Sequence, residues 1–300
     1  MKTVSTVARG GFQNHRVRND EGALRIGLLG FGAIARSLVR VLEDPAAHQP
    51  AGAAPAQAGF EIVSVLVRAP GPRPEGARFL PGAVFTTDPV EFWRQSPQLV
   101  VECAGHSAVR DVCPNVLARG ADLIVISVGA LADRAVETAL REAAQGSAGR
   151  LTLPAGAVGG LDLLAAARLA GLDRVQYVSR KPPRAWKGTR AEGMVALDSL
   201  AEAVEFYRGD AREAALAFPQ NANVAAAIAL AGIGFERTEV ALVADPGASG
   251  NEHRWVAEGA FGRAEMRVAG RPLPENPKTS WLAALSLARA VLDAGARVVI

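Results

Sequence analysis

Cysteine is nearly absent. The 300 residues hold two, Cys103 and Cys113, with neither CxxC pairing nor metal-ligand spacing. A disulfide framework is excluded, and a reducing cytoplasm is the expected compartment. Histidine is scarce too, confined to His15, His48, His106 and His253. No Cys/His/carboxylate cluster has ligand spacing, so no metal site is expected. Long apolar runs are missing, which excludes a membrane-spanning segment. Residues 1–22 carry Lys2, Arg9, Arg16 and Arg18 without the apolar core of a secretory leader, so a flexible tail is expected there. The net charge is only +3, with a pI of about 9.2 and the basic residues scattered. A clustered basic face, which nucleic-acid binding needs, is therefore absent.

What remains is an ordinary globular composition, 49% hydrophobic and 21% charged. A chain this long suits one large domain or two ordinary ones. The apolar run LRIGLLG (residues 24–30) predicts a buried strand, and FGAIARSLVRVLED (31–44) a helix. Residues 45–59 are rich in Ala, Pro and Gly and predict a loop. FEIVSVLVR (60–68), QLVVECAG (98–105), ADLIVISVG (121–129) and RLTLP (150–154) predict further strands, and AVFTTD (83–88) a short one. Helices are expected over 108–118, interrupted by Pro114, and over 131–144. Strands alternating with helices imply a doubly wound parallel sheet of Rossmann type. After residue 154 the pattern changes. VQYVSRKPP, RTEVALVAD, EHRWVAEGAF and GRAEMRVAG read as close-set, partly alternating strands. With a helix over 224–231 they predict a second, mixed α/β domain with a largely antiparallel sheet. The expected division is a tail (1–22), a dinucleotide-binding domain (23–155, with 280–300 packing back on it) and a substrate, catalytic and dimerisation domain (156–279).

GFGAIA places Gly30, Gly32 and Ala35 in the G-x-G-x-x-G/A pattern between a strand and a helix. Gly30 permits the tight turn, Gly32 admits a pyrophosphate close to the backbone, and Ala35 lets the helix pack on the strand. The helix start at Ala33 and Ile34 offers free N–H groups to the anion. Ala104, at the carboxyl end of QLVVECAG, is a further expected cofactor contact. The acid that would bind the ribose of NAD at the end of the second strand is missing. Arg68 stands there, with Arg73 nearby. It suits the 2′-phosphate of NADP, or is a solvated surface arginine. NADP or NAD is the expected cofactor.

Several longer segments carry a resemblance: VVECAGHSAVRD, VISVGALAD, LPAGAVGGLD, FPQNANVAAAIALAGIG, ADPGASGNEHRW and NPKTSWLAALSLARAVL. In this order, from about residue 24 to residue 292, they resemble the L-aspartate dehydrogenase family. The resemblance implies NAD(P)-dependent oxidative deamination of L-aspartate, through iminoaspartate, to oxaloacetate and ammonia. It also implies a homodimer and, in some organisms, a role in NAD biosynthesis. It points to His253 as the catalytic histidine and to Ala157 and Asn223 as cofactor contacts. The loop near residues 45–59 and the N-terminal tail depart from the family pattern without touching these motifs.

Other residues keep two readings. His253 opens a predicted strand and is expected to titrate near neutral pH, as a proton acceptor or as a surface histidine. His106 borders a ligand or serves the helix start. Asn221 and Asn223 lie at a predicted helix start, where an amide caps the helix or holds substrate or nicotinamide. Asn221, Lys278 and Thr279 are the expected substrate contacts. Lys278, Thr279 and Ser280 precede the last helix, where capping is the alternative. Lys181, Arg184 and Lys187 form a basic segment, which is a solvated face or supplies one residue to meet the substrate's side-chain carboxylate. Cys103 lies in a buried strand and reads as core rather than as a nucleophile. Two rival functions stand beside the main one: a reductase of another amino acid, imine or semialdehyde, and a non-catalytic dinucleotide sensor.

Overall fold

The computed structural model describes residues 23–43, 59–69, 80–219, 222–273, 276–296 and 298–299. Its first half alternates strand and helix. The order is β1 (Leu24–Leu29), α1 (Ala33–Glu43), β2 (Phe60–Leu66), β3 (Val84–Thr86), α2 (Pro89–Arg94), β4 (Leu99–Glu102), α3 (His106–Asp111), α4 (Cys113–Ala118), β5 (Asp122–Val125), α5 (Arg134–Gln145) and β6 (Leu151–Thr152). The six strands form a parallel sheet in the order β3-β2-β1-β4-β5-β6. This is the doubly wound arrangement whose chain direction reverses beside β1, the place where such sheets bind ligands at their carboxyl ends.

Two expected helices have different bounds. The stretch over 108–118 is two helices, α3 and α4, broken at Val112. Pro114 sits in the first turn of α4, where its missing N–H costs nothing. The helix expected to begin at residue 131 begins at Arg134, capped by the Asp133 carboxylate on the Ala135 N–H. A short 3-10 turn, Val128–Ala132, precedes it.

The second half contains α6 (Leu161–Ala167), β7 (Leu172–Lys181), β8 (Val204–Asp210), α7 (Ala211–Ala217), α8 (Ala222–Ala231), β9 (Thr238–Ala244), β10 (Asn251–Gly259) and β11 (Gly262–Gly270). Its sheet runs β11-β10-β7-β9-β8. Only the β7–β9 pair is parallel, and the other three are antiparallel. β8 had no counterpart among the expected strands. β12 (Pro272–Leu273) and β13 (Asn276–Ser280) make a small ribbon before α9 (Trp281–Gly295).

Strand alternation sorts the parallel sheet's side chains into two cores. Ile26, Leu28, Leu38, Ile62 and Val101 share a core with Leu287, Ala288 and Val291 of α9, so the last helix returns to pack on α1. Leu29, Val100 and Val125 face the other way. They join a core that runs without a break through α8 to Val175, Tyr177 and Trp255 of the second sheet. α8 is Ala-rich and buried from Val224 to Ala229, as a helix apolar on all sides must be.

Candidate active site

The turn after β1 carries the first part of the site. Gly30 has φ +85°, and a Cβ there would lie 2.8 Å from the Ala104 Cβ and 2.9 Å from its Cα. The ends of β1 and β4 therefore abut, which only glycine allows. A Cβ on Gly32 would meet nothing within 4 Å. That open side is the space a pyrophosphate needs, above the N-terminal turn of α1 formed by Ala33 and Ile34. Ala35 is fully buried against the sheet. The residues present thus fit a dinucleotide.

Glu102 organises the neighbouring loops. It ends β4, has no exposed surface, and accepts four hydrogen bonds. Ala104 N–H and Gly105 N–H donate to Oε1 (both 2.7 Å), Ser127 N–H donates to Oε2 (3.0 Å), and the Ser127 hydroxyl donates to Oε1 (3.0 Å). Burial raises its pKa, against the lowering by these donors. One carboxylate thus fastens the loop after β4 to the loop after β5. Sequence reasoning absorbed Glu102 into an apolar strand. The available signal was a lone acid at the carboxyl end of a buried run.

The second part lies on the second sheet. Tyr177, Ser179 and Lys181 alternate along one buried face of β7. His253 of β10 sits opposite Ser179. Its Nδ1 is 2.7 Å from the Tyr177 hydroxyl. The expectation of a near-neutral histidine is corrected here. His253 is 4% exposed, and burial, aided by the Lys181 charge, lowers its pKa to about 3. Lys181 is 7% exposed; burial lowers its pKa to about 8, and its ammonium lies 5.1 Å from the Trp186 ring centre. Burial also raises the Tyr177 pKa, keeping the phenol protonated. Tyr177 is the other residue that sequence reasoning passed over. Its period-two spacing from Lys181 was the signal.

The 154–160 loop connects the two parts. Trp255, two residues from His253 on the same strand, donates its indole N–H to Gly159 O (3.0 Å). A Cβ on Gly160 (φ +71°) would collide with that indole at 2.9 Å. Gly156 N–H donates to the Ser286 hydroxyl of α9 (3.0 Å), and Ala157 between them is buried.

The remaining expected residues fall as follows. Asn223 is the second residue of α8, and its amide oxygen accepts from Gly129 N–H (2.9 Å), tying α8 to the turn after β5. Asn221, Arg73, His15 and His48 lie outside the described residues. Arg68 is exposed just past β2. His106 is half-buried at the start of α3. Lys278 and Thr279 stand in β13, directly before the last helix, and the Thr279 hydroxyl accepts from the Asn276 amide (3.0 Å). Of the basic segment, Arg184 and Lys187 are exposed and Lys187 pairs with Asp198, so Lys181 alone of the three is buried. Cys103 keeps some residue surface, but its thiol is enclosed. Burial first, and then the Glu102 charge, raise the pKa of both Cys103 and Cys113. Neither is a thiolate nucleophile. Among the described residues no group of three or more metal-ligating side chains occurs, and no helix is long and apolar enough to cross a membrane.

A 3-2-1-4-5-6 parallel sheet with a glycine turn at its switch point, joined to a mixed sheet carrying a buried histidine, defines a nicotinamide-dinucleotide-dependent oxidoreductase. Residues 30–154 match the family model of the homoserine dehydrogenase NAD-binding domain, and residues 162–294 that of the aspartate dehydrogenase C-terminal domain. L-aspartate dehydrogenase of Ruegeria pomeroyi is 44% identical over 92% of this chain and 94% of its own length. That of Polaromonas sp. is 43% identical over 92% of this chain and 100% of its own. The crystal structure of aspartate dehydrogenase from Thermotoga maritima superposes with a TM-score of 0.70 at 25% identity, covering 93% of this chain and 100% of that one. An archaeal homoserine dehydrogenase in complex with NADPH shares the fold, with a TM-score of 0.56 at 12% identity over 91% of this chain and 98% of that one. The chain belongs to the L-aspartate dehydrogenase family.

Proposed function

We propose that the chain oxidises L-aspartate through iminoaspartate to oxaloacetate and ammonia, with NADP or NAD as cofactor. The observation that carries this reading is the buried His253, braced by Tyr177 and set beside Lys181, in a chain of this family. Residues 23–155 with 280–300 serve as the dinucleotide unit, and residues 156–279 as the substrate and catalytic unit. Gly30, Gly32, Ala33, Ile34 and Ala104 hold the dinucleotide at the switch point, with Ala157 and Asn223 at its nicotinamide end. Arg68 meets the 2′-phosphate when NADP is used. Asn221, Lys278 and Thr279 complete the substrate side.

The bound nicotinamide supplies the acceptor for hydride leaving the substrate α-carbon. The rest falls to the chain. Lys181 meets a substrate carboxylate, and the incoming anion favours its charged form against the cost of burial. His253 enters neutral. With Nδ1–H donating to the Tyr177 oxygen, Nε2 presents its lone pair to the water that adds to the iminium carbon and takes its proton. The same proton then passes to the departing nitrogen, His253 takes the hydroxyl proton of the carbinolamine as ammonia leaves, and the carbonyl of oxaloacetate forms. Two buried thiols, Cys103 and Cys113, suit a cytoplasmic setting. A second copy of the chain docks on the open face of the second sheet, where Val178 and Val256 lie among Arg174, Arg180 and Arg254.

The test is NAD(P)H formation from L-aspartate at alkaline pH with each cofactor. Wild type is expected to turn over. His253→Ala should bind cofactor normally and lose roughly a hundredfold or more in kcat. Lys181→Met should chiefly raise the KM for aspartate. Tight NADPH binding without turnover of aspartate, or of oxaloacetate plus ammonia, would leave the fold and sink the substrate.

A further inference from the structure

A cavity of about 490 Å³ opens where α5 of the first half meets α7, the carboxyl end of α8 and the start of β7. Its volume lies in the range of small-molecule sites. It is remote from His253, because Leu172 lines it while Ser179, opposite His253, lies seven residues further along β7, about 23 Å. Four arginines line it, Arg141, Arg168, Arg212 and Arg237, against two acids, Glu137 and Glu236.

These arginines differ in what they hold. Arg212 is largely enclosed. It bridges Glu236 (2.7 Å) and Glu137 (3.3 Å), donates to Ala132 O (2.5 Å) and covers the Phe235 ring at 4.4 Å. Arg141 is paired with Glu137 (3.0 Å). Among the described residues Arg168 donates only to Leu230 O (3.2 Å) and Arg237 only to Leu172 O (3.3 Å). Among the described residues neither has a carboxylate partner. A guanidinium has five N–H donors in a planar fork matched to carboxylate or phosphate. Two such forks without an acid, on one cavity, are suited to a dianionic ligand.

The surroundings connect this cavity to the dinucleotide site. Ala229 and Leu230 of α8 line it, while Asn223 at the other end of that helix holds Gly129 N–H. Asn223 and Leu230 are about 10 Å apart along the helix. The 128–132 turn is thus gripped twice, at Gly129 by Asn223 and at Ala132 by Arg212. We propose that this cavity is a regulatory site for a small organic dianion, a dicarboxylate or a phosphate monoester, and that its occupancy changes dinucleotide affinity through α8 and the 128–132 turn. An anion recruiting Arg212 competes with Glu137 and Glu236 for that side chain and so loosens or tightens the grip on the turn.

The experiment titrates succinate and, separately, glycerol 2-phosphate into the full chain by calorimetry, and measures NADPH affinity by fluorescence with and without each probe. The variants are R168A/R237A, the charge reversal R237E and, as a control for succinate in the substrate site, H253A. Both arginines are exposed, so the variants are expected to fold. At least one probe should bind saturably to wild type and to H253A. R168A/R237A and R237E should weaken it about tenfold or more, and the probe should shift the wild-type NADPH Kd about threefold or more but leave the double variant unaffected. No saturable binding by either probe, binding that survives R168A/R237A, or binding lost in H253A instead overturns the site. Binding without a change in NADPH Kd overturns its regulatory role. Turnover without added probe should match wild type in R168A/R237A, so failure here is separable from failure of the dehydrogenase reading.

Discussion

At the residue scale, the burial of a histidine beside a buried lysine ties stability to pH. The folded-state pKa of His253 is lowered from 6.5 to about 3 by burial and by Lys181. The fold therefore favours the neutral imidazole. Its contribution to stability is complete above the unfolded value and is lost as pH falls towards the folded one. Between pH 6.5 and about 3 the unfolded chain binds the extra proton, so stability rises with pH there. Equilibrium denaturation across that window should show His253→Gln with a shallower slope than wild type, by up to about 1.4 kcal/mol per pH unit. Equal slopes would mean that the imidazole is not held neutral.

At the scale of elements, the β1–α1 turn separates two roles of glycine. Gly30 is required by the backbone, with its φ of +85° and Ala104 at 2.8 Å. Gly30→Ala should destabilise the apoprotein by roughly 1–3 kcal/mol. Gly32 has open space on its Cβ side, so Gly32→Ala should change apoprotein stability by less than about 1 kcal/mol. It should nonetheless weaken NADPH binding about tenfold or more, by filling the approach to the pyrophosphate. Thermal unfolding and cofactor titration of both variants check this. Unchanged cofactor affinity in Gly32→Ala would place the pyrophosphate elsewhere. The glycine spacing makes this element legible in the amino-acid sequence, because period, turn and helix start all point the same way. β8 is not legible in that manner, since none of its residues is fully buried and a register shift between Glu205 and Tyr207 breaks the alternation that signals a strand.

For the whole molecule, the open face of the second sheet sets the expected assembly. A hollow of about 210 Å³ on it is lined by Val178, Ala241 and Val256 among Arg208, Glu239 and Arg254. Charge pairs run across the face, Arg254 with Glu265 (2.6 Å) and Arg267 with Glu252 (2.6 Å). Exposed pairs of this kind add little stability singly, but they leave an apolar centre inside a polar rim, the pattern of a protein interface. Sedimentation equilibrium should give a mass near twice the 31.2 kDa chain, and Val256→Asp should shift the population towards the monomer. A monomeric wild type would remove the sheet face from the proposed assembly.

Local periodicity and residue types at fixed spacing were enough for the parallel sheet and the glycine turn, whereas His253 stood out in the sequence only through the family resemblance. Tertiary structure alone decided the rest. It set Tyr177 against His253 and buried Lys181 while leaving Arg184 and Lys187 exposed. It also turned Glu102 from one acid in an apolar strand into the fastening of two loops. Each of these depends on which face of a strand meets another element far away in the chain. Burial, which moves the pKa values of His253 and Lys181, is a property of that packing and of no segment alone.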